Sequence, residues 1–190
     1  MATDASGNCS ELYWGEIEPR EHLIQLYRED DEFLDALEGF VVAGLRGGDG
    51  VIVLATSPHL GALEVRLRAG GDDPAGPKYR DRYIAVSAEQ SLAQFMIGGW
   101  PDAARFEQFV EDMFRRASRG GRPVRAFGGL AAVLRKNGNA DAMLRLEQLW
   151  RERCDERGLS VFCAYPRSAF VDDQGSIDRI CAAHSRMLHR

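Results

Sequence analysis

Two hydrophobic periods take turns along this chain, and each change of period marks a change of element. The run His22-Leu23-Ile24-Gln25-Leu26-Tyr27 is short, mixes apolar with polar positions, and reads as a first strand. An acidic cluster ends it, where Asp30 or Asp31 can cap a helix. Phe33, Leu37, Phe40, Val41, Gly44 and Leu45 then recur at steps of three and four, the buried stripe of that helix, before Gly47 and Gly48 stop it. Val51 to Ala55 is a continuous apolar run, as in a parallel strand covered on both faces. Ser57 as N-cap, with Pro58 at the first helical position, predicts a second helix reaching Leu67.

The stretch from Gly70 to Lys78, rich in Gly, Pro and Asp, reads as a loop inserted within one domain, since neither side holds a core alone. Tyr83 to Val86 is a third strand, and Ser87 with Gln90 forms a capping-box pattern for a helix that should end at Gly98-Gly99. A new helix starts at Asp102 and carries Phe106, Phe109, Val110, Met113, Phe114 and Ala117 on one face. Pro123 to Phe127 is a fourth strand, followed by a short helix from Leu130 to Leu134 that is stopped at Gly138. A long helix follows with Met143, Leu146, Leu149, Trp150 and Cys154 on its stripe. Leu159 to Ala164 is a fifth strand, and Ile177 to Leu188 a last helix. The alternation predicts an α/β fold: an open, mostly parallel sheet of about five strands with helices on both faces. Residues 1–18 read as a loose lead-in anchored by Tyr13 and Trp14, and residues 19–190 as a single domain.

Composition narrows the function. A formal net charge of −5 argues against direct nucleic-acid binding. The densest basic cluster (Arg115, Arg116, Arg119, Arg122, Arg125) is interleaved with apolar residues, as on a solvated helix face. Met1 to Ser10 lacks the apolar run of a signal peptide, and no stretch reaches the ~20 apolar residues of a membrane span. Cys9, Cys154, Cys163 and Cys181 are too scattered for a disulfide framework or a zinc ribbon. The expectation is a cytoplasmic protein with reduced thiols.

Sheets of this kind often bind nucleotides, but the required chemistry is missing. The only two lysines, Lys78 and Lys136, stand in no Gly-Lys-Ser/Thr sequence. The loop after Leu54 reads Ala55-Thr56-Ser57-Pro58-His59-Leu60-Gly61, which is no phosphate cradle, and no Gly-x-Gly-x-x-Gly follows a strand. Gly-x-Ser-x-Gly and His-Glu-x-x-His are absent too. The reading is a binding domain, not an enzyme, with no cofactor.

Four places carry polar groups where a bland core would not. His22 and Gln25 in the first strand have opposite parity and face different sides. Arg125 inside the fourth strand needs a carboxylate, and Glu147 is the expected one. Tyr165 closes the fifth strand, where a pocket lip is expected beyond the carboxyl ends of a parallel sheet. Cys181 and His184 fall on the apolar stripe of the last helix and should face inward, as packing residues or as ligands. The ligand-binding candidates are His22, Gln25, Tyr27, Arg125, Glu147, Tyr165 and His184. An alternative is a redox or metal site of Cys163, Cys181 and His184, suited to zinc, copper or iron.

These places also carry a family resemblance. His22-x-x-Gln25-x-Tyr27 before an acidic run and Phe33-Leu34 resembles the opening of the MEDS family, the methanogen/methylotroph, DcmR-type sensory domain. Pro123 to Gly128, Gly138-Asn139, Leu146 to Trp150, Cys163 to Pro166 and Ile180 to Ser185 follow in order, so the likeness spans about residues 20–188. It implies a degenerate RecA/KaiC-like fold without a working phosphate loop. It further implies sensing of a small molecule such as a hydrocarbon derivative, often beside transcription regulators or kinases. The family often has an acidic residue after Phe-Gly, where this chain has Gly129. With its end at Arg190 leaving no room for an output module, signalling is expected through a kinase or regulator partner, or through a homo-oligomer.

Overall fold

A computed structural model describes residues 14–171 and 173–188; the expectations for Cys9 and Tyr13 lie outside the described residues. In chain order the elements are β1 (His22–Tyr27), α1 (Asp30–Gly47), β2 (Gly50–Ala55), α2 (Ser57–Ala69), β3 (Tyr83–Ser87), α3 (Ala88–Phe95), β4 (Met96–Ile97), β5 (Trp100–Pro101), α4 (Ala103–Ala117), β6 (Val124–Gly128), α5 (Leu130–Lys136), α6 (Ala140–Arg157), β7 (Ser160–Pro166), α7 (Gln174–Ala183) and β8 (Arg186–Leu188). The main sheet runs β3-β2-β6-β7-β1-β8, with every neighbouring pair parallel.

Strand alternation sorts the core into two layers. Val51, Val53, Phe127, Phe162 and Ala164 face α1 and α2, together with Phe33, Leu37, Phe40 and Leu45 from the predicted α1 stripe. Ile52, Leu54, Ala126, Val161, Cys163 and Tyr165 face the other layer, built from α3 to α7. Strand β2, flanked by β3 and β6, is buried along its whole length, which explains its unbroken apolar run. Trp14 anchors the lead-in, with its ring centroid 5.6 Å from Phe40 and 5.1 Å from Phe162.

Several boundaries differ from the sequence reading. The cap of α1 is Glu29, and α2 begins at Ser57 behind Thr56. The Ser87 cap is as expected, its Oγ accepting from Gln90 N. Helix α3 stops at Phe95, and Gly98 and Gly99 instead turn the β4–β5 hairpin with φ of 58° and 82°. That left-handed pair is what a two-residue hairpin turn demands.

The largest difference is at the C-terminus, where a sixth strand replaces the end of the expected last helix. His184 has φ −108° and ψ 150°, so the chain leaves α7 there, and Arg186 to Leu188 pair with Leu23 to Gln25 of β1. A bare β1 would present a row of unpaired backbone groups; a three-residue strand covers it. Ser185 N and Oγ both donate to the His22 carbonyl, at 2.7 and 3.0 Å. Cys181 is half-buried and packs against the core from α7, whereas His184 is buried beyond the helix end.

Arg125 also finds a different partner. Its Nε and Nη2 reach Asp49 Oδ2 at 2.8 and 2.6 Å, and Nη1 donates to the carbonyl of Trp14 at 2.9 Å. Parity explains the correction: Arg125 shares the Phe127 face under α1, whereas α6, which carries Glu147, covers the opposite face.

Candidate functional site

Beyond the carboxyl ends of β1, β2, β6 and β7 the sheet opens on a cleft of about 740 Å³. Its wall is aromatic: Tyr27 stacks on Phe33 with centroids 5.1 Å apart, and Phe33 meets His59 at 4.9 Å and Phe127 at 5.4 Å. Ala55, Ala132, Val133, Ala164 and Pro166 extend the apolar surface, and Asp30, Glu89, Arg135 and Lys136 stand among the polar lining. Burial, with the Asp30 carboxylate nearby, pushes the Tyr27 phenol up to about 12, so it stays an O–H donor. Burial lowers the His59 imidazole against the opposing pull of Asp30, whose carboxylate is 4.0 Å away.

Gly129 lines this cleft at the end of β6. Its N–H donates to the Leu54 carbonyl at 2.8 Å, and a Cβ there would lie 2.6 Å from that oxygen and 2.9 Å from Phe127 Cε1. An acidic side chain at this position, which the family resemblance leads one to expect, therefore has no room here. Gly129→Asp is expected to destabilise the fold by about 1–3 kcal/mol through overpacking. A urea midpoint equal to that of the parent chain would contradict this close approach.

A second constellation lies inside the sheet–helix layer. His22 of β1, Cys163 of β7, Glu147 of α6 and His184 after α7 converge, with each side chain buried. Glu147 Oε2 is 3.2 Å from His22 Nε2, 3.3 Å from His184 Nε2 and 3.5 Å from Cys163 Sγ. Cys163 Sγ is 3.5 Å from His22 Nε2, and the two imidazoles lie with centroids 3.9 Å apart and planes tilted by 35°. Tyr165 O–H donates to the other carboxylate oxygen, Glu147 Oε1. His22 Nδ1 is 3.2 Å from the Ala183 carbonyl and His184 Nδ1 is 2.6 Å from the Ile180 carbonyl. Since a carbonyl only accepts, both Nδ1 atoms carry protons and both Nε2 atoms point at Glu147.

Burial lowers the His22 imidazole, with Glu147 pulling the other way. Burial alone would raise the Glu147 carboxyl, but His184 and then His22 outweigh it and hold it below the ordinary carboxylate range. Burial and the Glu147 charge push the Cys163 thiol and the Tyr165 phenol well up.

The structure thus divides the sequence-derived candidates. His22, Glu147, Tyr165 and His184 meet in the buried cluster, Tyr27 lines the cleft, and Arg125 sits elsewhere with Asp49. Tyr165 is not a pocket lip, because its parity matches Cys163 and turns it into the core; its neighbour Ala164 faces the cleft. Gln25 is buried with Oε1 unpaired, in neither site. Cys181 is not in the cluster. Phe33, His59 and Phe127 in the cleft are not among the sequence-derived site candidates; Phe33 and Phe127 read there as core positions, although the residues just past each strand were the place to look.

Fold and cleft define an open parallel α/β domain with a concave site at the carboxyl ends of its strands. The family model described as "MEthanogen/methylotroph, DcmR Sensory domain" (MEDS) matches residues 21–185, so the chain belongs to that family of sensory domains. A search of curated proteins gave no match. Among solved structures, a Pyrococcus horikoshii OT3 protein from a structural-study project superposes with a TM-score of 0.56 at 10% identity, over 91% of this chain and 84% of that one. The likeness shows the shared fold. No helix among the described residues is long and apolar enough to cross a membrane.

Proposed function

We propose that this chain is a sensory domain that binds a small organic molecule in the cleft beyond β1, β2, β6 and β7 and does not turn it over. The cleft carries the reading: about 740 Å³, with aromatic and aliphatic walls beside a set of polar and charged groups, is the chemistry of a small-ligand pocket. Tyr27 and His59 would orient a polar end, while Phe33 and Phe127 would hold a hydrocarbon body. A hydrocarbon derivative fits this division better than a nucleotide. In a RecA/KaiC-like arrangement the turn after β1 would hold phosphates, but here it reads Arg28-Glu29-Asp30, and Asp30 faces the cleft. Occupancy would reach a kinase or regulator partner, or a second copy of the chain, without direct contact to nucleic acid or membrane, in the cytoplasm.

Native mass spectrometry of the purified chain, followed by thermal-shift and calorimetric titration with short hydrocarbon derivatives, tests this. A ligand from that class is expected to bind, ATP and GTP are not, and Ala132→Phe, which fills the cleft, should weaken binding at least tenfold. Micromolar nucleotide binding with hydrolysis, or ligand affinity untouched by Ala132→Phe, would overturn the reading.

A further inference from the structure

The buried cluster poses a problem of charge. Two imidazole Nε2 atoms, a carboxylate oxygen and a sulfur lie within 4.8 Å of one another, with the Nδ1 protons already committed to backbone carbonyls. His184 Nε2 is buried, stands 3.3 Å from Glu147 Oε2, and makes no hydrogen bond. One shared proton satisfies one imidazole and leaves the other facing lone pairs. Two protons leave a buried net positive charge, which is costly.

We propose that His22 Nε2, His184 Nε2, Glu147 Oε2 and Cys163 Sγ form a four-coordinate site for a divalent metal ion of the zinc class. Four of the six donor separations are those a tetrahedron requires, and all six lie within 4.8 Å. Nitrogen and oxygen ligands about 2.0–2.1 Å from zinc lie about 3.3–3.4 Å apart, and a sulfur at about 2.3 Å lies about 3.5–3.6 Å from each. The observed nitrogen–oxygen distances are 3.2 and 3.3 Å, and the sulfur stands 3.5 Å from both His22 Nε2 and Glu147 Oε2. Thiolate and carboxylate together neutralise the dication, so the occupied site is uncharged as a whole. The surroundings are those of a ligand set held in place. Each imidazole donates Nδ1–H to a backbone carbonyl, and Glu147 Oε1 accepts from Tyr165. On binding, the Cys163 S–H proton and the proton shared between the Nε2 atoms and Glu147 leave to solvent, and sulfur, both Nε2 atoms and Oε2 bond the metal. With four protein ligands and no exposure, the ion would be structural, tying β1, α6, β7 and the C-terminal cap of α7 together.

This site is separate from the ligand cleft, so its test stands apart from the sensory reading. Elemental analysis of the natively purified, untagged full chain is expected to find close to one zinc-class ion per chain. Chain unfolded with chelator and refolded with cobalt should show the strong visible bands of four-coordinate cobalt with a thiolate charge-transfer band. Cys163→Ser should remove that band, and both Cys163→Ser and His184→Gln should weaken metal binding at least tenfold, with folding followed by circular dichroism. Less than about a tenth of an equivalent in folded chain before and after refolding with zinc, or undiminished uptake by the folded variants, overturns the proposal. Should both variants fail to fold, the wild-type cobalt spectrum decides: six-coordinate bands, or no thiolate band, overturn it.

Discussion

Arg125→Ala is expected to lower folding stability by about 3–5 kcal/mol, because it strands the Asp49 carboxylate and the carbonyls of Trp14 and Phe40 that now share one guanidinium. The side chains of Arg125 and Asp49 are only 9% and 14% exposed, so water replaces little of what is lost. Arg125 makes three kinds of contact at once: the ion pair to Asp49, the hydrogen bond to the Trp14 carbonyl, and its guanidinium 5.3 Å from the Phe40 ring centroid. Lysine cannot reproduce that fork, so Arg125→Lys should recover little of the loss. Chemical denaturation of Arg125→Ala, Asp49→Ala and the double variant measures the coupling. The double variant should fall well short of the summed single effects. An unchanged midpoint in Arg125→Ala would remove the pair as a stabilising feature.

Glu147→Ala is expected to cost about 3–5 kcal/mol as well, by a different route. The carboxylate is wholly buried and is the common acceptor for Tyr165 O–H and Cys163 S–H and the neighbour of both imidazoles. Its removal leaves buried polar groups without a partner, each costing about 1–3 kcal/mol, and a cavity beside them. Tyr165→Phe, which removes one hydroxyl and keeps the ring, should cost about 1.5–3 kcal/mol. Thermal and urea unfolding of the two variants checks the order; a Glu147→Ala chain as stable as Tyr165→Phe would mean that the cluster does not hinge on the carboxylate.

The sequence was a good guide to one half of the candidate chemistry. His22, Cys163, Tyr165 and His184 stood out as polar or reactive groups in apolar settings, and they converge on Glu147, which the sequence had offered as the partner of Arg125. Their grouping was not legible, because it depends on which face each strand turns to which helix. Arg125 and Glu147 look like natural partners along the chain, yet the sheet lies between them. The cleft was harder still: Phe33 and Phe127 carry the pattern of ordinary core residues, and only the divergence of elements past the strand ends exposes them to a cavity.

What the sequence by itself determined is the alternation of elements: β2 from its unbroken apolar run, α1 from its stripe, α4 from its Asp102 cap, and with them a parallel α/β sheet covered on both faces. These follow from local periodicity and capping, which the chain encodes within a few residues. Tertiary structure alone decided the strand order, the partner of Arg125, and the fate of Ile177 to Leu188. In that last segment a helical stripe and a three-residue strand offer the same apolar pattern. The unsatisfied edge of β1, with the His22 carbonyl waiting for Ser185, is what draws the chain out of its helix.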